Sequence, residues 1–234
     1  VGYEVIDLLT QEKAEGKKVV GADAKRVGDP SYKIKIGAGA TILAIGGQAS
    51  QFKRTIAGTG RSSMDLHEWC RSQQIRYTNE SFTQYVWCRA TDFGNWSIMN
   101  LADKKALFRG SDGKERRVPD HLRPLFQPRS THAPVSYGLE DRALDELLMD
   151  NLNKEDCIDV FHPDRGWEKV VIAAQVSNGG IRIDQDGWAG MDGLYACGEC
   201  AGGMHGANRI GGGMVLSTQV FGDRAGKAAV RSIR

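Results

Sequence analysis

The chain has 234 residues, 41% of them hydrophobic and 26% charged, which is the composition of a globular protein large enough to bury a sizeable core in one or two domains. Its net charge of +2 leaves no nucleic-acid footprint at the whole-chain level, and no apolar run approaches the roughly 20 residues that span a bilayer. Five cysteines, an odd number, argue against a secreted disulfide framework and for a reducing compartment, read here as cytoplasmic.

The opening Val1-Gly2-Tyr3-Glu4 carries no basic stretch followed by an apolar one, so no signal peptide is predicted. Residues Tyr3 to Leu9 alternate as a strand. A polar turn around Gly16 and a second run, Val19 to Ala24, complete a predicted hairpin. Tyr32 to Ile36 alternates again. Ala40 to Ile45 is a continuous apolar run that ends at Gly46-Gly47, the pattern of a buried strand. Helical spacing is predicted over Met64 to Gln73 and over Asp141 to Asn151. From Tyr85 to Trp167 the composition shifts towards proline, tryptophan and arginine. After Val170 the apolar, glycine-rich character returns.

The most informative stretch lies near the C-terminus. A short apolar strand, Gly193-Leu194-Tyr195-Ala196-Cys197, runs into Gly198-Glu199. Then come His205-Gly206-Ala207-Asn208-Arg209-Ile210-Gly211-Gly212-Gly213 and a predicted helix from Met214 to Ser232. Glycines let backbone N–H groups approach a ligand closely, and a helix N-terminus favours partial negative charge. This arrangement suits a large cofactor that carries hydroxyl and carbonyl oxygens.

At these residues the chain resembles the fumarate reductase/succinate dehydrogenase flavoprotein family, with the soluble fumarate reductase branch the nearest in pattern. That family reads approximately G-L-Y-A-A-G-E and then H-G-A-N-R-L-G-G-N. Thr41-Ile42-Leu43-Ala44-Ile45-Gly46-Gly47 is similar to its V-V-L-A-T-G-G. The resemblance implies an α/β fold, in which a partial Rossmann-like FAD-binding domain is interrupted by a small capping domain. Residues 1–84 would be the middle of the FAD domain, 85–167 the cap and substrate domain, and 168–234 the closing FAD segment.

By the same resemblance FAD is the cofactor. Gly46, Gly47, Gly198, Glu199, Gly213, Met214 and Val215 would hold it, with Glu199 on the ribityl chain and the Met214 and Val215 backbone towards the pyrimidine edge. Arg209 would bind the substrate, with His205 beside it.

Other family positions are altered. Val86 stands in place of one substrate histidine and Gln175 in place of the other. Glu140 replaces the proton-donating arginine, with Arg142 two residues away as the candidate substitute, and Gly60-Arg61-Ser62 replaces G-D-G. These changes point to a small anionic substrate other than fumarate, handled by Arg209, Gln175 and Arg142.

The family's G-x-G-x-x-G strand-turn-helix does not occur in these residues. Gly58-Thr59-Gly60-Arg61-Ser62-Ser63 precedes a helix and comes nearest to it, but no acidic ribose ligand follows in a βαβ frame. The resemblance therefore implies a further polypeptide segment carrying the dinucleotide-binding half, or an electron-transfer subunit. The alternative reading is a non-catalytic or split subunit that depends on such a partner. Cys197-Gly198-Glu199-Cys200 is a C-x-x-C, the pattern of a dithiol that passes electrons to a flavin or of half a metal site, but no second one accompanies it and the other cysteines are scattered, which favours packing, and no metal site is predicted.

Overall fold

A computed structural model of the chain describes residues 2–57 and 64–233. The glycine-rich stretch from Gly58 to Ser63, with its Gly60-Arg61-Ser62, lies outside the described residues. The chain divides into two compact units. One comprises residues 1–51, 59–83 and 176–234, and the other 52–58 and 84–175.

In the first unit, β1 (Tyr3–Lys13), β2 (Gly16–Arg26) and β3 (Asp29–Gly37) form an antiparallel sheet in the order β1-β2-β3. The hairpin lies where the alternation places it. It runs past Leu9 to Lys13, with register shifts at Val5/Asp7 and Leu9/Thr10. The apolar run yields β4 (Thr41–Leu43). The first long helix, α1 (Met64–Ser72), turns Leu66, His67 and Cys70 inward, followed by β5 (Tyr77–Thr78).

The second unit is built on β6 (Thr83–Arg89), β7 (Leu107–Arg109), β8 (Glu115–Arg116), β9 (Cys157–His162) and β10 (Gly166–Ser177), in the sheet order β6-β10-β9-β7-β8. Two short helices, α2 (Phe126–Arg129) and α3 (Arg142–Met149), belong to it. Its core gathers Trp87, Phe108, Leu144, Leu148, Ile158, Val160 and Val170, all within 1% exposure.

A buried charge pair crosses that core. Arg129 Nε lies 3.0 Å from Asp145 Oδ2, with side chains 2% and 0% exposed. Trp87 Nε1 donates to Asp145 Oδ1 at 2.7 Å and the Ser136 amide donates to Oδ2 at 3.0 Å, so the carboxylate is fully engaged. A buried charge is tolerated only with this degree of satisfaction.

The chain returns to the first unit through β11 (Gly180–Arg182), β12 (Leu194–Ala196), β13 (Ala201–Gly202) and α4 (Gly213–Ser232). β12 pairs in parallel with β4, and β11 sits between β13 and β5. Leu43, Leu66, Cys70, Ile181, Leu194 and Cys200 form the core beneath. α4 packs Ala225, Ala228 and Ala229 on Tyr195. The fit is close: a side chain at Gly187 would meet the Ala225 methyl at 2.9 Å. The other side of α4 is different. Val215 and Leu216 are 68% and 64% exposed, Val220 and Val230 are exposed too, and open space lies over Gly222 and Gly226.

Candidate functional site

The site in the first unit is organised around the Glu199 carboxylate. The parallel pair β4–β12 ends in two glycine turns, Gly46-Gly47 after β4 and Gly198 after Cys197, so both chain exits lie at one end of the pair. Gly198 has φ +74°, a conformation that glycine adopts at no steric cost. Glycine at position 47 is required by proximity: any Cβ there would collide with the Glu199 carboxylate.

The Ser177 amide donates to Glu199 Oε1 at 2.9 Å, and the Gly47 amide also supports the carboxylate. Burial nevertheless raises the pKa of Glu199 above the ordinary glutamate value. The two amides and the Arg209 charge offset only part of that.

The residues flanking this carboxylate carry buried polar atoms with no protein partner among the described residues: Gln48 Nε2, Ser177 Oγ and Asn178 Oδ1. Asn178 is 1% exposed. Its Nδ2 donates to the Gly206 and Ala207 carbonyls at 3.0 and 3.1 Å, which fixes Oδ1 as the atom left over. Buried polar groups are ordinarily satisfied, so these three atoms, carried by one amide donor to Glu199 and by chain neighbours of the donors, are open to further hydrogen bonds.

The glycine loop that leads into α4 is held from the same side. Asn79 Nδ2 donates to the His205 carbonyl at 2.9 Å. His205 Nε2 is 3.2 Å from Ser217 Oγ in the second turn of α4. Desolvation and the nearby Arg209 charge lower the His205 pKa, so the ring is neutral at physiological pH. Arg209 Nη1 donates to the Ile210 carbonyl at 3.1 Å. Its aliphatic stem and the His205 ring both lie against Gly213, where an added Cβ would sit 3.3 and 3.5 Å from them. Gly212, at φ +76°, opens the helix, and the amides of Met214 and Val215 follow in its first turn, where intrahelical partners are lacking. The Glu199 carboxylate and this loop are joined through Ser177 and Asn178: the Ser177 amide holds Glu199, and the Asn178 side chain holds the Gly206 and Ala207 carbonyls.

Two candidate residues belong to the second unit. Gln175 lies near the end of β10, with a buried Oε1 that has no partner among the described residues. Arg142 opens α3, is 59% exposed and pairs with Glu146 at 3.2 Å. Its guanidinium is engaged by its own helix, and no described contact joins it to Gln175.

One side chain that supports the Gly46-Gly47 turn carries no motif in the sequence. His67, fully buried on α1, places Nε2 3.1 Å from the Gly46 carbonyl and Nδ1 2.9 Å from the Tyr77 hydroxyl. Burial lowers its pKa, so the ring is neutral. The consistent tautomer has Nε2–H donating to Gly46 while Tyr77 O–H donates to Nδ1. His67 thereby fixes the carbonyl next to the Gly47 amide that supports Glu199.

The C-x-x-C pair is part of the packing. Cys200 Sγ lies 3.1 Å from the Cys197 carbonyl and 3.3 Å from that of Leu43. Burial pushes its thiol up to about 12, and burial raises Cys197 as well. Both are protonated at neutral pH and unreactive as nucleophiles.

A family model described as an FAD binding domain matches residues 73–215. L-aspartate oxidase of Halobacterium salinarum is 28% identical over 96% of this chain and 46% of its own length. The L-aspartate oxidase of Caulobacter vibrioides is 47% identical, over 29% of this chain and 13% of its own length. The fumarate reductase of Schizosaccharomyces pombe is 36% identical, over 35% of this chain and 15% of its own length. The solved structure of Mycobacterium smegmatis Sdh1 in complex with UQ1 matches with a TM-score of 0.70 and 24% identity, over 99% of this chain and 42% of that one. The chain spans less than half the length of these relatives. The match over residues 73–215 covers both the Glu199 carboxylate and the loop that carries Arg209, and the chain belongs to the FAD-binding family that contains fumarate reductases, succinate dehydrogenase flavoproteins and L-aspartate oxidases.

Proposed function

We propose that this chain forms the ribityl- and flavin-edge side of an FAD-dependent oxidoreductase whose substrate is a small anion other than fumarate. The observation that carries the reading is the Glu199 carboxylate held by the Gly47 and Ser177 amides, with Ser177 Oγ and, on the adjoining residues, Asn178 Oδ1 and Gln48 Nε2 left without a partner among the described residues. These atoms fit FAD. Glu199 would accept from ribityl hydroxyls, the orphan groups would take up its remaining donors and acceptors, and the α4 amides of Met214 and Val215 would face carbonyl oxygens. When bound, the flavin supplies hydride transfer.

The chain's own residues do the rest. His67 fixes the Gly46 turn. His205, neutral and anchored to Ser217, holds the loop on α4 without adding charge. Arg209 supplies a permanent cation suited to a carboxylate or similar oxyanion. In this reading the second unit is the capping, substrate-facing domain. Gln175 contributes an uncharged amide where the family has a histidine, and Arg142 would serve as proton donor only after leaving Glu146.

A second reading, a split or partner-dependent subunit, is favoured by α4. Its exposed Val215, Leu216, Val220 and Val230, with open space over Gly222 and Gly226, form an apolar strip of the kind that packs against another element. We infer that a polypeptide segment with a dinucleotide-binding strand-turn-helix covers it, carried in this chain or in another.

The test is anaerobic titration of the flavin-loaded protein with a panel of small carboxylates, following bleaching or recovery of the flavin band. One of them should exchange electrons with the flavin. Arg209→Gln should raise KM about tenfold or more. A flavin that no small anion reduces or reoxidises, with Arg209→Gln indistinguishable from the parent, would remove the catalytic reading and leave the split-subunit one.

A further inference from the structure

A cavity of about 260 Å³ opens elsewhere in the first unit. It is lined by Gln74, Ile75, Arg76, Arg182, Ile183, Asp184 and Trp188 with its neighbours, none of them part of the Glu199 site. Two of these residues are unusually placed. β5 and β11 are antiparallel, with Thr78 opposite Gly180 and Tyr77 opposite Ile181. The register continues one step further, because the Arg182 amide donates to the Arg76 carbonyl at 2.8 Å. Arg76 and Arg182 therefore stand directly opposite each other. Ile181 is fully buried, so by strand alternation Arg182 points outward, and Arg76 points to the same face.

Cβ atoms in such a pair are about 5 Å apart, and like charges directly opposite are destabilising. Proteins commonly relieve such a pair with a carboxylate. Here, among the described residues, neither guanidinium forms an ion pair or side-chain hydrogen bond. Asp184, the acid in the lining, turns Oδ1 to the Asp186 and Trp188 amides, each at 2.9 Å.

The neighbouring wall is prepared for a ligand as well. The Trp188 indole is 40% exposed, yet its Nε1 is tied to the Met191 carbonyl at 2.9 Å, so the ring is held in place. Two arginines without an ion pair among the described residues and a held indole line one cleft, a set that matches a small organic oxyanion. The forks bind two pairs of oxygens, and the indole covers the ligand's apolar part. The volume lies below that of drug-sized sites, which limits the occupant to a compact molecule.

We propose that the Arg76–Arg182 cleft binds a small multivalent oxyanion, a phosphate or polycarboxylate, whose charge relieves the repulsion between the opposed arginines. The proposal does not depend on the flavin reading.

The test uses the purified protein at constant ionic strength, with inorganic phosphate and citrate as probes. Thermal midpoint and tryptophan fluorescence are recorded for the parent, for Arg76→Gln with Arg182→Gln, and for Arg209→Gln. At least one probe should raise the midpoint and perturb the fluorescence of the parent. The double variant should lose at least about tenfold in affinity, while Arg209→Gln keeps it. Preference for phosphate or for citrate distinguishes phosphoryl from carboxylate ligands. In low salt without anion, Arg182→Gln alone should melt higher than the parent, since one of two opposed charges is gone. The proposal is overturned by an absence of response to both probes, by a response that survives in the double variant, or by one lost only in Arg209→Gln.

Discussion

The buried imidazole of His67 sits 3.1 Å from the carbonyl of Gly46 and so ties α1 to the turn that presents the Gly47 amide to Glu199. A neutral histidine with both nitrogens occupied, here by Gly46 and Tyr77, behaves as a fixed strut. Removing it takes away the side-chain partner of the half-buried Gly46 carbonyl and of the Tyr77 hydroxyl, which keeps only the His67 backbone carbonyl at 3.3 Å. His67→Ala should cost about 2–4 kcal/mol of stability and weaken FAD binding, measured by urea unfolding and flavin titration. His67→Gln, which can donate to one group and accept from the other, should recover part of both.

The acid side of the stability profile should reflect the same ring. His67 and His205 have folded values lowered from the ordinary 6.5, chiefly by burial. Between the lowered value and about 6.5 the unfolded chain binds more protons than the native one, so stability rises with pH across that window. The histidine contribution is full above about 6.5 and falls away as pH drops through the folded values. Unfolding midpoints between about pH 5 and pH 7 should fall more steeply with acid in the parent than in His67→Gln.

Glu199 works in the opposite sense. Its folded value is raised by burial, so ionisation opposes folding as pH rises through that value. Glu199→Gln should leave the flavin-free protein at least as stable as the parent at pH 7 in thermal unfolding. The same change removes an acceptor that FAD hydroxyls would use.

In the second unit the central liability is Asp145, which serves Arg129, Trp87 and Ser136 together. Asp145→Ala would strand a buried guanidinium and should cost about 3–5 kcal/mol. Asp145→Asn, which keeps the acceptor to Trp87 but not the charge, should cost less. Calorimetry with near-UV circular dichroism of Trp87 would separate the two.

Much of this arrangement is legible in the sequence, for local reasons. The β1–β2 hairpin, β4, α1, α3 and α4 follow from alternation, apolar runs and helical spacing, and all lie where those patterns place them. The Gly198-Glu199 turn and the Asn208-Arg209 loop stand out in the sequence through their glycines and through the resemblance to the fumarate reductase/succinate dehydrogenase family. His67 is not readable: its partners are Gly46 and Tyr77, 21 and 10 residues away, and a histidine on an apolar helix face looks like any core residue. Ser177 and Asn178 declare themselves only as atoms left unsatisfied after folding. The opposed Arg76 and Arg182 are 106 positions apart in sequence, and only strand register brings them together.

The most direct test of the central claim is the visible flavin absorbance of the protein isolated from its source, followed by FAD titration of the parent and of Glu199→Gln. The expected result is a flavin band that stays with the parent through gel filtration, and an affinity for FAD at least about tenfold weaker in the folded variant. A colourless parent that takes up no added FAD, or a Glu199→Gln variant that binds FAD as tightly as the parent, would contradict the assignment of the Glu199 carboxylate as the flavin anchor.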